Sequence, residues 1–158
     1  MKKIVVVIFV LLFSLNANSQ NCEERWVDSV FNSLTLEQQV GQLFNLRANQ
    51  PNKDFDIRME EYIEKYNIGG VTFFRTDAEL LLQQTNEWQL KAQTPLMIAI
   101  DGEWGLGMRI NDGLSYPYQM TLGAITNDAL ISEMGRQIAE QCVRIGINVN
   151  FAPDIDVN

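Results

Sequence analysis

Histidine is absent from this 158-residue sequence. Its absence excludes Ser-His and Cys-His nucleophile pairs and imidazole-ligated metals within this span. The sequence also has no G-K-[ST] triplet and no G-x-G-x-x-G order. The nearest pattern, Gly102-x-x-Gly105-x-Gly107, is not predicted to open directly into a helix, so the phosphate-binding geometry of nucleotide sites is missing. We therefore expect no nucleotide, no other cofactor and no metal.

Basic residues are scarce and scattered. Twelve Lys and Arg stand against twenty Asp and Glu, which gives a net charge of -8, and loss of Lys2 and Lys3 with a leader would make it -10. Nucleic acids and anionic membrane surfaces are recognised through basic patches, so neither is an expected partner. Neutral small molecules or polymers, carbohydrates among them, fit an acidic chain better.

Cysteine is limited to Cys22 and Cys142. In an oxidising compartment the two can form a disulfide. The alternative is that Cys22 lies in a terminal tail while Cys142 is a buried helical residue that acts as a small hydrophobe. The sequence leaves both interpretations open.

The first nineteen residues have the organisation of a secretory signal peptide. Lys2 and Lys3 precede an apolar run from Ile4 to Leu15, and small residues follow at Ala17 and Ser19. This order predicts a signal peptide over 1–19 that is cleaved near Ser19. The run is short for a bilayer span. We expect a mature chain 20–158 without a membrane anchor, exported to the periplasm or the extracellular space.

Helical and strand patterns alternate along most of the mature chain. Three helices are predicted first: an amphipathic one over 23–33, one that begins at a Thr35-x-x-Gln38 capping box and runs toward Asn49, and one over 55–66. Three strands follow, separated by two helices. The strands are predicted over 68–74, 95–100 and 147–151, and the helices over 78–93 and from Asn127 to Arg144. Such alternation indicates βα units and a parallel sheet.

The predicted fold class is therefore α/β. Parallel sheets are normally buried on both faces, and three strands leave an edge uncovered. We expect N-terminal helices followed by the first three βα units of a TIM-type (β/α)8 barrel whose C-terminal part lies outside this sequence. A complete small α/β domain is the alternative.

The loop after the second predicted strand carries the densest group of candidate binding residues. The apolar run Leu96–Ile100 ends at Asp101, in the place where barrel enzymes bind their ligands. The Asp101 carboxylate either accepts hydrogen bonds from two sugar hydroxyls or caps the turn at Gly102. Trp104 either stacks on a sugar ring or plugs the loop.

Further along this loop, Arg109 either contacts a ligand or braces the loop by pairing with Glu103 or Asp112. After the third strand, Asp154 and Asp156 are separated by one apolar residue. Their spacing lacks the glycine and the bidentate glutamate of an EF-hand loop. One of the two carboxylates is expected at the barrel mouth, while the other holds a turn.

Four blocks, in order and spacing, resemble the N-terminal domain of glycoside hydrolase family 3. They are Leu34–Leu43, Ile68–Phe74, the Asp101 segment and Asn150–Val157. The resemblance implies a TIM-type barrel and a retaining exo-glycosidase that works through a covalent glycosyl-enzyme. It implies a carbohydrate substrate, with no catalytic nucleophile or acid/base within these residues.

Within the Asp101 segment, Asp101, Glu103, Gly105 and Arg109 fit the pattern of the family's β-N-acetylglucosaminidase branch. The resemblance implies that Asp101 and Arg109 bind the terminal sugar, with Glu103, Trp104 and Asp156 as further candidates. Trp104 and Leu106 depart from the residues common in bacterial hexosaminidases, so β-glucosidase and β-xylosidase members are alternatives. A non-enzymatic periplasmic sugar-binding α/β domain is the alternative from another class.

Overall fold

The computed structural model describes residues 22–48 and 53–154, with side chains in the second range from residue 57 onward. The predicted signal peptide and Asp156 lie outside the described residues. The chain divides into two compact units, Met1–Leu34 and Thr35–Asn158. In the first unit, helix α1 (Cys22–Ser33) confirms the predicted amphipathic helix. Across the described residues no helix has both the length and the apolar content needed to cross a bilayer.

The second unit contains a four-stranded parallel sheet in the order β1-β2-β3-β4. The strands are β1 (Asn45–Ala48), β2 (Gly70–Phe73), β3 (Met97–Ile100) and β4 (Val149–Asn150). The helices are α2 (Leu36–Gly41), α3 (Lys53–Glu64), α4 (Ala78–Lys91), α5 (Gln119–Leu122) and α6 (Asp128–Arg144), with a 3-10 turn at Leu106–Met108. The α/β class and the βα alternation are thereby confirmed.

The prediction of three strands is wrong, because β1 occupies a stretch that was assigned to the second helix. That helix ends at Gly41, and the chain enters β1 four residues later. The apolar spacing that predicted a longer helix is not a core stripe, since Leu36 is 75% and Leu43 is 84% exposed. β1 forms because its backbone pairs with β2, from Asn45 opposite Gly70 to Ala48 opposite Phe73.

One face of the sheet is packed against helices. Phe73 stacks on Trp88 of α4 with ring centroids 5.8 Å apart. The buried core joins alternate strand residues to side chains of α3, α4 and α6, among them Val71, Ile98, Ile100, Met59, Ile63, Leu81, Ile138 and Cys142. Because side chains alternate along a strand, the residues next to this set point to the opposite face.

The predicted capping box is confirmed, and local features also mark the two ends of α6. Thr35 and Gln38 form both hydrogen bonds of the capping box of α2. The Asn127 side chain accepts a hydrogen bond from the Ala129 amide at the start of α6, and Gly146 after its end has a φ of 78°. On the solvent face of α6, a hydrogen bond from Arg136 lowers the pKa of Glu133 to about 2.

Two glycines near this core give opposite predictions for stability. A Cβ at Gly41 would lie 1.9 Å from the carbonyl oxygen of Tyr66, whereas a Cβ at Gly135 in α6 would meet nothing within 4 Å. We expect Gly41→Ala to lower the free energy of unfolding by about 1–3 kcal/mol through overpacking. Gly135→Ala should raise it by about 0.5–1 kcal/mol, because alanine loses less backbone entropy in a helix. Urea unfolding midpoints measure both. Equal destabilisation by the two substitutions would contradict the packing described at Gly41.

Candidate functional site

The candidate site lies at the carboxyl ends of the parallel strands. Asp101 directly follows β3, and Phe74 directly follows β2. Since Phe73 and Ile100 face the helices, the pleat places Phe74 and Asp101 on the opposite face of the sheet. Arg47 of β1 shares that face, because its neighbour Ala48 is paired with Phe73.

Asp101 and Arg109 form the central contact of the site. The Arg109 Nη2 donates to Asp101 Oδ2 at 2.5 Å, and its Nε donates to the Asp101 carbonyl oxygen at 3.0 Å. The Asp101 side chain is 27% exposed and the Arg109 side chain is 20% exposed. The sequence singled out both residues, but it did not anticipate that they are partners. Both side chains keep part of their surface exposed to solvent.

Contacts with the neighbouring strand position Arg109. Its guanidinium lies 4.7 Å from the centroid of the Phe74 ring. Its carbonyl oxygen accepts a hydrogen bond from the Thr76 amide at 3.0 Å, and the Asn111 amide donates to the Thr76 carbonyl at the same distance. The loop after β3 is thus attached to the loop after β2.

The same loop folds back on itself where its glycines occur. The Gly107 amide donates to the Leu114 carbonyl at 3.0 Å, and the Tyr116 amide donates to the Trp104 carbonyl at 2.8 Å. Gly105 has a φ of 92°, and a Cβ there would lie 2.7 Å from the Tyr116 ring. These glycines therefore serve close backbone packing within the loop.

Trp104 and Glu103 lie on the other side of this loop. Trp104 packs edge-on against Tyr118, with ring centroids 4.7 Å apart and planes at 90°. This contact matches the plug alternative for Trp104, while sugar stacking stays a prediction. The Glu103 carbonyl accepts a hydrogen bond from the Gln119 side chain at 2.8 Å. Both residues are half-buried.

Asn150 is a site residue that sequence reasoning missed. Its Oδ1 accepts from the Gly102 amide at 2.9 Å, and its Nδ2 donates to the Gly102 carbonyl at 3.4 Å. Asn148, two residues earlier, makes a similar contact, because its Oδ1 accepts a hydrogen bond from the Ile98 amide at 2.9 Å. The pattern that could have indicated these contacts in the sequence is the asparagine at each end of Asn148-Val149-Asn150. The side-chain amide of Asn150 thus extends the hydrogen bonding between β3 and β4 beyond Ile100.

Two further acidic candidates, Asp154 and Asp156, follow β4 in the sequence. Asp154 is exposed, and Asp156 falls outside the described residues, so its role stays a prediction. In the part of the chain that the structure describes, no group of three or more Cys, Asp or Glu side chains is arranged to hold a metal ion.

A separate groove of about 580 Å³ runs between α6 and β4. Its lining is mostly apolar and includes neither Asp101 nor Arg109; among its members are Ile131, Met134, Ile138, Cys142, Ile147 and Val149. Burial raises the pKa of the Cys142 thiol. Cys142 is a free thiol that is only 6% exposed, which matches the buried-hydrophobe interpretation.

Parallel βα units with polar side chains gathered at the carboxyl ends of their strands define a barrel-type α/β domain. Residues 35–158 match the family model described as the glycosyl hydrolase family 3 N terminal domain. The chain belongs to glycosyl hydrolase family 3, and the resemblance noted in the sequence is confirmed.

Relatives and solved structures are similar over most of this chain. Beta-hexosaminidase A of Pseudoalteromonas piscicida is 32% identical over 152 residues, covering 79% of this chain and 25% of that protein. Beta-hexosaminidase of Haemophilus influenzae (strain PittEE) is 28% identical over 113 residues, covering 66% of this chain and 32% of that protein. The chain thus spans about a quarter to a third of the length of these curated relatives.

Among solved structures, the beta-glucoside phosphorylase BglX bound to 2FGlc aligns with a TM-score of 0.74 at 23% identity. The alignment covers 84% of this chain and 24% of that one. A second structure of the same phosphorylase aligns with a TM-score of 0.71 at 22% identity. These likenesses confirm the fold, that of a partial TIM-type barrel.

The Asn150 contact predicts how the Asp101 loop is stabilised. Asn150→Leu removes both hydrogen bonds to Gly102, and we expect faster hydrogen exchange at the Gly102 amide by about tenfold, the equivalent of one lost hydrogen bond. Exchange measured by NMR checks this. Asn127→Leu, at the cap of α6, is the matched control and should leave Gly102 protected. Unchanged exchange at Gly102 in Asn150→Leu would show that the side chain does not hold the loop.

Proposed function

We propose that this chain supplies the sugar-binding part of a retaining exo-glycosidase that removes a terminal β-linked N-acetylhexosamine. Asp101 and Arg109 bind the terminal sugar, and the nucleophile and acid/base are not assigned to any residue of this span. The observation that carries the proposal is the Asp101–Arg109 pair at the carboxyl end of β3.

The chemistry of this pair suits a ring with neighbouring hydroxyls. An aspartate carboxylate accepts hydrogen bonds from hydroxyls, and a guanidinium donates to their oxygens. Hydrogen bonds that involve a charged group are shorter and about twice as strong as neutral ones. Arg109 donates one hydrogen bond to the Asp101 carboxylate and one to the Asp101 carbonyl oxygen, so the carboxylate already has a partner when no sugar is bound.

The choice of sugar rests on the relatives. Two beta-hexosaminidases support an N-acetylhexosamine, whereas the beta-glucoside phosphorylase supports a β-glucoside as the second candidate. Turnover of aryl N-acetyl-β-glucosaminide, β-glucoside and β-xyloside by the full-length protein compares these candidates with the β-xylosidase alternative. Saturable sugar binding without turnover of any of the three would favour the non-enzymatic alternative.

Substitution of Asp101 tests the proposal. In the full-length protein, Asp101→Asn replaces the carboxylate, which accepts hydrogen bonds from the sugar and from Arg109, with an uncharged amide of the same shape. We expect kcat/KM for aryl N-acetyl-β-glucosaminide to fall by roughly 10- to 100-fold, as for one hydrogen bond to a charged group.

The control is Asp112→Asn, an exposed acid on the same loop, and it should leave kcat/KM unchanged. Wild-type kinetics in Asp101→Asn would contradict the assignment. Turnover by the isolated 158-residue chain would contradict the placement of the catalytic groups outside it.

We also propose that residues 1–19 are a signal peptide and that the mature chain 20–158 is exported to the periplasm or beyond. The basic Lys2-Lys3 pair, the apolar run after it and the small residues Ala17 and Ser19 support this. The mass of the mature N-terminus, expected to start near Gln20, decides it.

A further inference from the structure

A second arginine lies on the same face of the sheet as the sugar-binding pair. Arg47 belongs to β1 and is opposite Thr72 in the register with β2. The pleat directs it, like Phe74 and Asp101, away from the helices. Nothing in the proposed sugar contacts uses this side chain.

Arg47 contacts the ring that Arg109 also contacts. The guanidinium carbon of Arg47 lies 4.5 Å from the Phe74 centroid, and that of Arg109 lies 4.7 Å from it. A guanidinium over a ring is attracted to the π face, and its in-plane N–H groups stay available for hydrogen bonds. The Phe74 ring thus supports two guanidinium groups, both beside the strand ends.

The charges of these two arginines are not balanced alike. Asp101 neutralises Arg109. None of the five ion pairs among the described residues includes Arg47. The two guanidinium carbons lie within about 9 Å of each other, because both contact the same ring.

We propose that Arg47 is an anion-selecting residue beside the sugar site, and that it binds an oxyanion carried on the bound sugar, a sulfate, phosphate or carboxylate substituent. A guanidinium donates two parallel hydrogen bonds to such groups, which a hydroxyl cannot match. The proposal rests on the proposed function, since it takes the Asp101–Arg109 pair as the sugar site.

Calorimetric titration of the full-length protein tests this assignment with three probes: N-acetylglucosamine, its 6-sulfate, and sodium sulfate against sodium chloride at equal ionic strength. We expect the sulfated sugar to bind roughly tenfold more tightly than the neutral one. Arg47→Met keeps an apolar stem against Phe74 but has no charge, and it should abolish this preference. Arg75→Met, which removes an exposed charge just after β2, is the matched control and should retain it.

The outcomes separate the oxyanion site from the sugar site. Asp101→Asn should weaken binding of the neutral sugar but leave binding of sodium sulfate unchanged. If no sugar binds to the wild type, the proposed function fails, and loss of sulfate binding in Arg47→Met still supports an oxyanion site that takes the free ion. The proposal is overturned if Arg47→Met binds sulfate and the sulfated sugar as tightly as the wild type does. It is also overturned if Arg75→Met loses the preference for the sulfated sugar as fully as Arg47→Met does.

Discussion

The in-register parallel pairing of β1, β2 and β3 is the constraint on which the site depends. It brings the carboxyl ends of three strands level, so that Arg47, Phe74 and Asp101 lie on one face although they are far apart in sequence. The pairing requires close backbone approach at Gly70, where a Cβ would lie 2.5 Å from the Met97 carbonyl oxygen. The glycine at the start of β2 thus helps to position side chains at the other end of the sheet.

The loop after β3 converts this alignment into a binding surface. Arg109 is eight residues beyond Asp101, and it returns to it because Thr76 holds the loop on one side and Asn150 holds Gly102 on the other. The side chains of this ion pair are partly buried, with Asp101 27% and Arg109 20% exposed. We propose that the pair is a prepared contact for a polar ligand.

Much of this architecture was predictable from local patterns, and what was missed depends on partners. The stretches that became β2 and β3 are apolar and bounded by glycine or proline, and Thr35, Asn127 and Gly146 mark helix ends through local hydrogen bonds or backbone conformation. β1 has no β-branched residue, and only its ladder with β2 makes it a strand. The position of Asp101 was predictable from the strand that precedes it. Its pairing with Arg109 and the clamp by Asn150 arise from tertiary contacts that spacing does not encode.

The central claim is that the Asp101–Arg109 pair holds the terminal sugar. A crystal structure of the full-length protein with N-acetylglucosamine bound tests it most directly. The account predicts ring hydroxyls at about 2.6–3.2 Å from an Asp101 carboxylate oxygen and from an Arg109 nitrogen. A sugar bound in another place, with the two side chains paired only to each other, would contradict it.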